Sequence, residues 1–350
     1  MSESFNLSFS LDEIKVKQIC SMFLEKFEII KIKPMIEGLS AYMLKVTVKK
    51  PEYFHFVIRI IDQRNKRGFE HQIGNILFVK KKKLFPVPNI LFKDNSGEII
   101  PESYYCYEYI EGETLDNVID ALNFEQKKKL YSELGAIVGK MHAEVYPGSE
   151  GIGGNLFLEN EEIIFEEWKY KKRKFSSTYY SLAESYKEAV KHGFKKNFKQ
   201  YYPSCKKLWN KYKKYLKYEE SLLGYSHLDL NGDNVIIKEE KVQAFIDLEM
   251  ICFVNRHFDL ARCEKKLLGN FVVIDKDERK KLIQVFRDSY EKYIPIEETY
   301  WNKRPAFFLI ELMDDLEWLP DYEKRLKREK ISRIKQNLIE ELEELISTYS

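Results

Sequence analysis

Apolar residues recur along this chain in two rhythms, and the changes of rhythm outline its elements. Val16, Ile19, Cys20, Phe23 and Phe27 fall on one helical face, and Ser10 with Glu13 reads as a capping box at the start of that helix. Three β-prone stretches follow over 29–36, 41–48 and 54–61, the first two joined by the tight turn Glu37-Gly38-Leu39-Ser40. A helical pattern over 68–81 stops before Pro86-Val87-Pro88, and an aromatic-rich strand is predicted over 104–110. Leu130, Leu134, Ile137, Val138 and Met141 then mark a helix over 124–142, closed by His142 as a packed or capping residue. Further on, 235–237 and 242–246 flank the polar 238–241 as a β-hairpin. The last third is helical over 277–293, 301–319 and 323–348, with Pro295, Pro305 and Pro320 as punctuation and Pro305 in a first turn.

Composition narrows the classes. The chain has 350 residues, 44% of them hydrophobic, which is enough for two lobes around a large core. Its 58 basic and 56 acidic residues leave a formal charge of +2, no electrostatic footprint for nucleic acid. The lysine-dense, aromatic stretch 168–218 therefore reads first as helices with lysines in solvent and aromatics buried, and second as a nucleic-acid surface. The five cysteines are odd in number and lack C-x-x-C spacing, which fits reduced thiols in a cytoplasmic protein. The N-terminus lacks an apolar signal-type segment, and no apolar run approaches membrane-spanning length.

The candidate chemistry lies in His227-Leu228-Asp229-Leu230-Asn231-Gly232-Asp233-Asn234, followed after the hairpin by Ile246-Asp247-Leu248-Glu249. This is H-x-D-L-x-x-x-N with a later isolated acid, the spacing of kinase-type phosphotransferases. Phosphoryl transfer passes through a loose transition state, so a protein mainly positions a hydroxyl and neutralises charge. Asp229 suits the base that accepts the hydroxyl proton. Asn234 and Asp247 offer oxygen ligands to a hard cation such as magnesium. The plainer alternative is a surface turn rich in Asp and Asn ahead of an ordinary hairpin.

With Arg256-His257-Phe258-Asp259-Leu260-Ala261 added to those two segments, the chain resembles the aminoglycoside phosphotransferase and choline kinase superfamily. The sharp part of the resemblance runs from Tyr225 to Arg262. It implies an α+β, bilobal protein-kinase-like fold, with a small antiparallel β-sheet N-lobe and a larger, mostly α-helical C-lobe. The lobes would be 1–111 for nucleotide and 112–350 for catalysis and acceptor, with a helical insertion at about 165–220. Arg59, in Phe56-Val57-Ile58-Arg59-Ile60, is similar to the phosphate-pairing cation of the third kinase strand, and Glu70 is its expected partner; two solvent-facing charges are the alternative. The turn with Gly38 and Ser40 would cover the nucleotide phosphates, unless it is an ordinary hairpin turn. Glu111-Gly112-Glu113-Thr114-Leu115 resembles the segment that leaves the inter-lobe hinge, and backbone groups from Glu108 to Ile110 would meet the purine.

The resemblance also implies a transfer of the γ-phosphoryl of ATP or GTP, with Mg2+, to a hydroxyl of a small molecule. His227 would buttress the loop, Asp259 anchor it, and Glu249 stand behind the metal ligands. Leu228 replaces the arginine that reads activation-loop phosphorylation in many protein kinases, which favours a small-molecule kinase. Glu311, Asp314 and Asp315 share a helical face beside Trp318, suited either to a polycationic acceptor or to plain solvation. On that face an aminoglycoside, acted on by a resistance-type kinase, leads among acceptors. Choline or another small metabolite is the alternative, and a nucleotide-binding pseudokinase stands beside both.

Overall fold

The alternating positions near the N-terminus build a five-stranded antiparallel sheet. A computed structural model of the chain describes residues 11–35, 41–61, 66–149, 152–169, 177–217, 222–267, 275–322 and 328–349. Its fold is α+β and bilobal, of the kinase-like type. Contacts divide the chain into two compact units. The first comprises Met1–Gly112, Leu156–Ile164 and Gln243–Glu249; the second comprises Glu113–Asn155, Phe165–Val242 and Met250–Ser350.

The first unit begins with α1 (Glu13–Ser21), whose N-cap is Asp12, with its carboxylate accepting from the Lys15 amide at 2.9 Å. Ser10, the expected cap, lies outside the described residues, as does the turn holding Gly38 and Ser40. Strands β1 (Glu28–Pro34), β2 (Ala41–Lys50) and β3 (Glu52–Ile61) precede α2 (Lys66–Lys82), β4 (Ile90–Asp94) and β5 (Ser103–Glu108). The sheet order is β1-β2-β3-β5-β4, and β2 pairs with β3 from Ala41↔Ile61 to Lys50↔Glu52. Period-two alternation sends Phe56, Ile58 and Ile60 into a core with Val16, Ile19 and Cys20 of α1. Arg59 therefore points to the opposite face, where β5 sets Tyr105 across from it.

Two later segments join this unit by backbone contacts, so a single cut after residue 111 leaves them out. At Gly74 of α2 an added Cβ would lie 2.8 Å from the Phe157 carbonyl carbon, a closeness only glycine permits. The Phe245 amide donates to the Pro86 carbonyl at 2.9 Å, and Asn75 Nδ2 donates to the Leu248 carbonyl at 3.3 Å.

The second unit opens with β6 (Glu113–Thr114) and α3 (Leu115–Val118), then α4 (Phe124–His142). A full capping box starts α4: the Gln126 amide donates to Asn123 Oδ1 at 3.0 Å, and the Asn123 amide donates to Gln126 Oε1 at 2.8 Å. Next along the chain come β7 (Gly154–Glu159) and β8 (Glu162–Glu167), a hairpin turned by Asn160 and Glu161 at φ of 48° and 64°, whose 156–164 portion belongs to the first unit. The lysine-dense stretch forms α5 (Ser177–Ala189), α6 (Lys195–Asn197) and α7 (Tyr202–Tyr212). Buried Leu182, Cys205, Leu208 and Trp209 face inward while most described lysines are in solvent, which is the plainer of the two readings of that segment.

Strands β9 (Leu223–Ser226), β10 (Val235–Lys238), β11 (Lys241–Phe245) and β12 (Cys252–Asn255) lead to α8 (Arg256–Lys266). Then follow α9 (Lys276–Tyr290), α10 (Thr299–Tyr322) and α11 (Arg328–Tyr349). Two short sheets run β11-β10-β6 and β8-β7-β12-β9. Helix α8 is clamped from two sides through Glu264, which is fully buried. Its oxygens accept from Arg287 of α9 at 2.7 and 2.6 Å and from Arg304 of α10 at 3.0 Å. Burial would raise the Glu264 carboxyl, but the two guanidiniums hold it below its usual range. Among the described residues, no helix is long and apolar enough to cross a membrane.

Candidate active site

The loop after β9 is held by one buried carboxylate. Asp259, on the first turn of α8, accepts the His227 amide on Oδ2 and the Leu228 amide on Oδ1, both at 2.8 Å. Oδ2 also meets His142 Nε2 at 3.0 Å, and His142 Nδ1 lies 3.1 Å from the Tyr290 hydroxyl. A proton on Nε2 satisfies both contacts, with His142 donating to Asp259 and accepting from Tyr290. Burial would raise the Asp259 carboxyl, but His142 and the His227 amide outweigh it and hold the group below its ordinary value. His142, read from sequence as a packed or capping residue, thus sits behind the loop anchor. His227 is itself buried, and its backbone carries the loop's contact with Asp259.

This anchoring supports a backbone that few side chains adopt. Leu228 has φ of 63°, in the left-handed region, directly before Asp229. Asn234, next to the start of β10, donates Nδ2 to the Asp229 carbonyl at 2.8 Å and to Asp229 Oδ2 at 3.3 Å. Its amide nitrogen is thus taken, and the amide oxygen is the atom left with affinity for a hard cation. Asn231 closes the intervening turn by accepting the Asp233 and Asn234 amides on Oδ1 at 3.0 and 3.2 Å. Gly232 sits against Asp116 of α3, where a Cβ would collide with the carboxylate. Asp229 Oδ1 faces Lys266 Nζ at 3.4 Å, and 37% of the Asp229 side chain stays open to solvent.

In the first unit, Arg59 is buried and meets two carboxylates at the end of the 243–249 segment. Its Nη2 donates to Asp247 Oδ1 at 2.9 Å and to Glu249 Oε2 at 3.2 Å. Burial opposes the charge, but the surrounding Tyr105, Asp247, Tyr107 and Glu249 raise the Arg59 pKa and keep it protonated. Asp247 also has a left-handed φ, 62°. The expected Arg59–Glu70 pair is not formed: Glu70 takes Arg67 at 2.9 Å, one turn away on α2. Helix α2 instead turns Gln72 toward β5, where Gln72 Oε1 accepts from the Tyr105 hydroxyl at 3.0 Å. Glu108, at the end of β5, accepts from the Asn89 amide at 3.1 Å and from Asn89 Nδ2 at 2.7 Å. Ile110 follows half-buried.

The acidic residues of α10 are not a solvated face. Glu311 is 3% exposed and lies 3.5 Å from Arg262 Nε, while Asp315 Oδ2 lies 2.5 Å from the buried Lys265 ammonium. Asp314, half-buried, has no basic partner within ion-pair distance among the described residues. Burial, then the charges of Glu311 and Asp315, push its carboxyl up. The field at Arg262 ties this helix to the loop, since Glu311, Asp229, Asp259 and Asp314 all stabilise its charge against burial. Arg262, Lys265 and Lys266 were not singled out in the sequence. For Arg262 and Lys266 the signal was the helical spacing from Asp259, which places 259, 262 and 266 along one face.

A sequence model of the phosphotransferase enzyme family matches residues 31–291, well over half of the chain. Among solved structures, the chain is similar to a putative aminoglycoside phosphotransferase from Ralstonia eutropha JMP134. The TM-score is 0.65 at 15% identity, covering 97% of this chain and 99% of that one. It is also similar to a thermostable mutant of aminoglycoside phosphotransferase APH(4)-Ia in apo form, with TM-score 0.62, 12% identity and coverage of 96% and 99%. Another mutant of that enzyme, solved with AMP-PNP and hygromycin B, gives 0.59 at 11% identity, covering 95% and 97%. At such identities the likeness carries the fold. The KEOPS complex subunit Bud32 of Pyrococcus abyssi is 28% identical over 126 residues, 35% of this chain and 54% of that protein. The match thus spans about half the length of this curated relative.

Proposed function

The chain belongs to the phosphotransferase enzyme family, and from that premise we propose that it moves the γ-phosphoryl group of ATP or GTP to a hydroxyl of a small, amine-bearing molecule. One observation carries the reading: Asp229 stands at the exposed end of a loop whose backbone is locked on the buried Asp259. A carboxylate so placed can hold an acceptor hydroxyl in line and take its proton. Arg59 pairs with the nucleotide phosphates, exchanging part of its contact with Asp247 and Glu249 for them. Asn234 and Asp247 are the residues that would hold magnesium, and both supply the oxygen donors that this cation prefers. Magnesium, when bound, neutralises the phosphate oxygens. Glu249 steadies Arg59 and Asp247 from behind, and Glu108 to Ile110 line the purine.

The acceptor's charge follows from α10. Glu311 and Asp315 already pair with Arg262 and Lys265, whereas Asp314 has no ion pair of its own among the described residues and feels Arg262 and Lys266 only at longer range. An ammonium on the acceptor would relieve it. The proteins of similar fold include one solved with hygromycin B, so aminoglycosides lead the list of acceptors to try. The single unmatched charge also favours a second reading, an acceptor with one amine such as choline or a related amino alcohol.

The test is acceptor-dependent release of nucleoside diphosphate with Mg2+ and ATP or GTP, run against aminoglycosides, macrolides, choline and simple sugars. Release with one class, abolished in Asp229→Asn while nucleotide still binds, supports the reading and names the class. Nucleotide binding without release on any acceptor refutes it in favour of a protein that binds nucleotide without turnover.

A further inference from the structure

The loop from Asp229 to Asn234 reads Asp-Leu-Asn-Gly-Asp-Asn and carries no basic residue. A cation reaches Asp229 from elsewhere in the second unit: Lys266, the last residue of α8, sets Nζ 3.4 Å from Asp229 Oδ1. That separation exceeds the ~2.7–2.9 Å of a tight charge-assisted hydrogen bond. The ammonium therefore stands beside the carboxylate without being consumed by it, while Asn234 holds the other oxygen. Only 16% of the Lys266 side chain is exposed, so its reach is fixed by packing rather than by solvent. Arg262, one turn earlier on α8, is drawn instead toward Glu311.

We propose that Lys266 is a catalytic residue whose ammonium donates to a non-bridging oxygen of the phosphoryl group as that group joins the acceptor hydroxyl. The proposal rests on the phosphotransfer reading above. In the step, the acceptor O–H passes its proton to Asp229 and the acceptor oxygen forms the new O–P bond. The O–P bond to the nucleoside diphosphate breaks, and its electron pair leaves with the diphosphate; Lys266 keeps its proton throughout. An acceptor oxygen bound to Asp229 at ~2.7 Å brings the phosphorus attached to it within reach of Lys266. Charge in the loose transition state is spread over three equatorial oxygens, so a fixed donor there favours the transition state over the ground state. Loss of one such preorganised donor costs about 10²–10³ in kcat.

The test needs no identified acceptor. Binding of ADP with Mg2+ to the full chain is measured by calorimetry with and without aluminium fluoride, which mimics the transferring phosphoryl group. Wild type, Lys266→Met and Lys266→Arg are compared. The expected result is at least about tenfold tightening by fluoride in wild type, under twofold in Lys266→Met and an intermediate value in Lys266→Arg. ADP affinity without fluoride should agree within about twofold across the three, as befits a group that acts only in the transition state. Equal tightening in wild type and Lys266→Met overturns the assignment and leaves the phosphotransfer reading standing. No tightening in wild type overturns that reading, and the role of Lys266 with it. A fall in plain ADP affinity or melting temperature that accounts for the lost tightening makes Lys266 structural and overturns the proposal.

Discussion

Replacing Asp259 by Asn tests whether the loop conformation depends on one buried charge. The wild-type carboxylate is fully buried and accepts three donors: the His227 and Leu228 amides at 2.8 Å and His142 Nε2 at 3.0 Å. An asparagine keeps one acceptor oxygen and puts an NH2 where the other stood. Its better orientation keeps the oxygen toward His227 and His142 and turns the NH2 against the Leu228 amide. One buried N–H then loses its partner, at about 1–3 kcal/mol, and the two remaining bonds lose an ionised acceptor. The sum is about 3–5 kcal/mol, the range for breaking a buried charged contact by removing one partner.

The released amide belongs to Leu228, whose left-handed backbone already costs about 1–2 kcal/mol. Strain therefore relaxes at the residue next to Asp229. The melting temperature should fall by about 6–20 °C, at 2–4 °C per kcal/mol for a unit of 150–250 residues. Turnover should fall on the order of 10²-fold, as for a displacement of a reacting group by about 1 Å. Calorimetric melts and diphosphate release measure the two. Because the Asp259 pKa is lowered in the folded state, its contribution is full above the ordinary 3.8 and is lost as pH falls through the lower folded value. The gap between wild type and variant should thus hold from pH 7 to 5 and close only in stronger acid. A melt within about 2 °C of wild type, with turnover intact, would refute the anchoring argument.

Gly139→Ala tests the contact of α4 with α9: its Cβ would lie 2.6 Å from the Tyr290 carbonyl oxygen, a backbone atom that cannot swing away. Overpacking of about 1–3 kcal/mol should outweigh the ~1 kcal/mol gain in helix propensity, and a raised melting temperature would contradict this. Burial pushes His257 down to about 4 despite Glu297 Oε2 at 2.7 Å, so the folded protein holds it neutral. Stability contributed by that neutral imidazole is present above pH 6.5 and drains away between 6.5 and 4; His257→Gln should flatten the melting curve over that window, and parallel wild-type and variant profiles would count against it.

How far the sequence shows this structure depends on what each element buries. The helix predicted over 124–142 is found whole because its buried positions are nearly all apolar and its cap, Asn123 with Gln126, is local. The hairpin of β10 and β11 is equally legible from its flanking β-prone runs, although Glu239 and Glu240 turn it at φ of 52° and 59°. The hairpin of β7 and β8, turned by Asn160 and Glu161, is not among the predicted strands, although its turn lacks glycine no more than that of β10 and β11 does. Helix α8 is missed for the opposite reason: it buries Arg256, His257, Asp259, Glu264 and Lys265, so hydropathy marks as solvent-facing a helix that lies inside. Its motif residues are visible in sequence, but the element that carries them is not.

That helix also explains why the acidic face of α10 reads differently in space than in sequence. Helical spacing identifies Glu311, Asp314 and Asp315 as neighbours, but it cannot say what stands opposite them. What stands opposite is α8, which assigns Asp259 to the loop backbone, Arg262 to Glu311, Lys265 to Asp315 and Lys266 to Asp229. Two of the three acids are thereby neutralised before any ligand arrives, and desolvation is met by pairing rather than by solvent. Asp314 alone of the three has no ion-pair partner among the described residues; burial and the charges of Glu311 and Asp315 push its carboxyl up, against the more distant Arg262 and Lys266. Under the proposed transfer to an amine-bearing acceptor, one such group would select for the position of an amine more than for the number of amines.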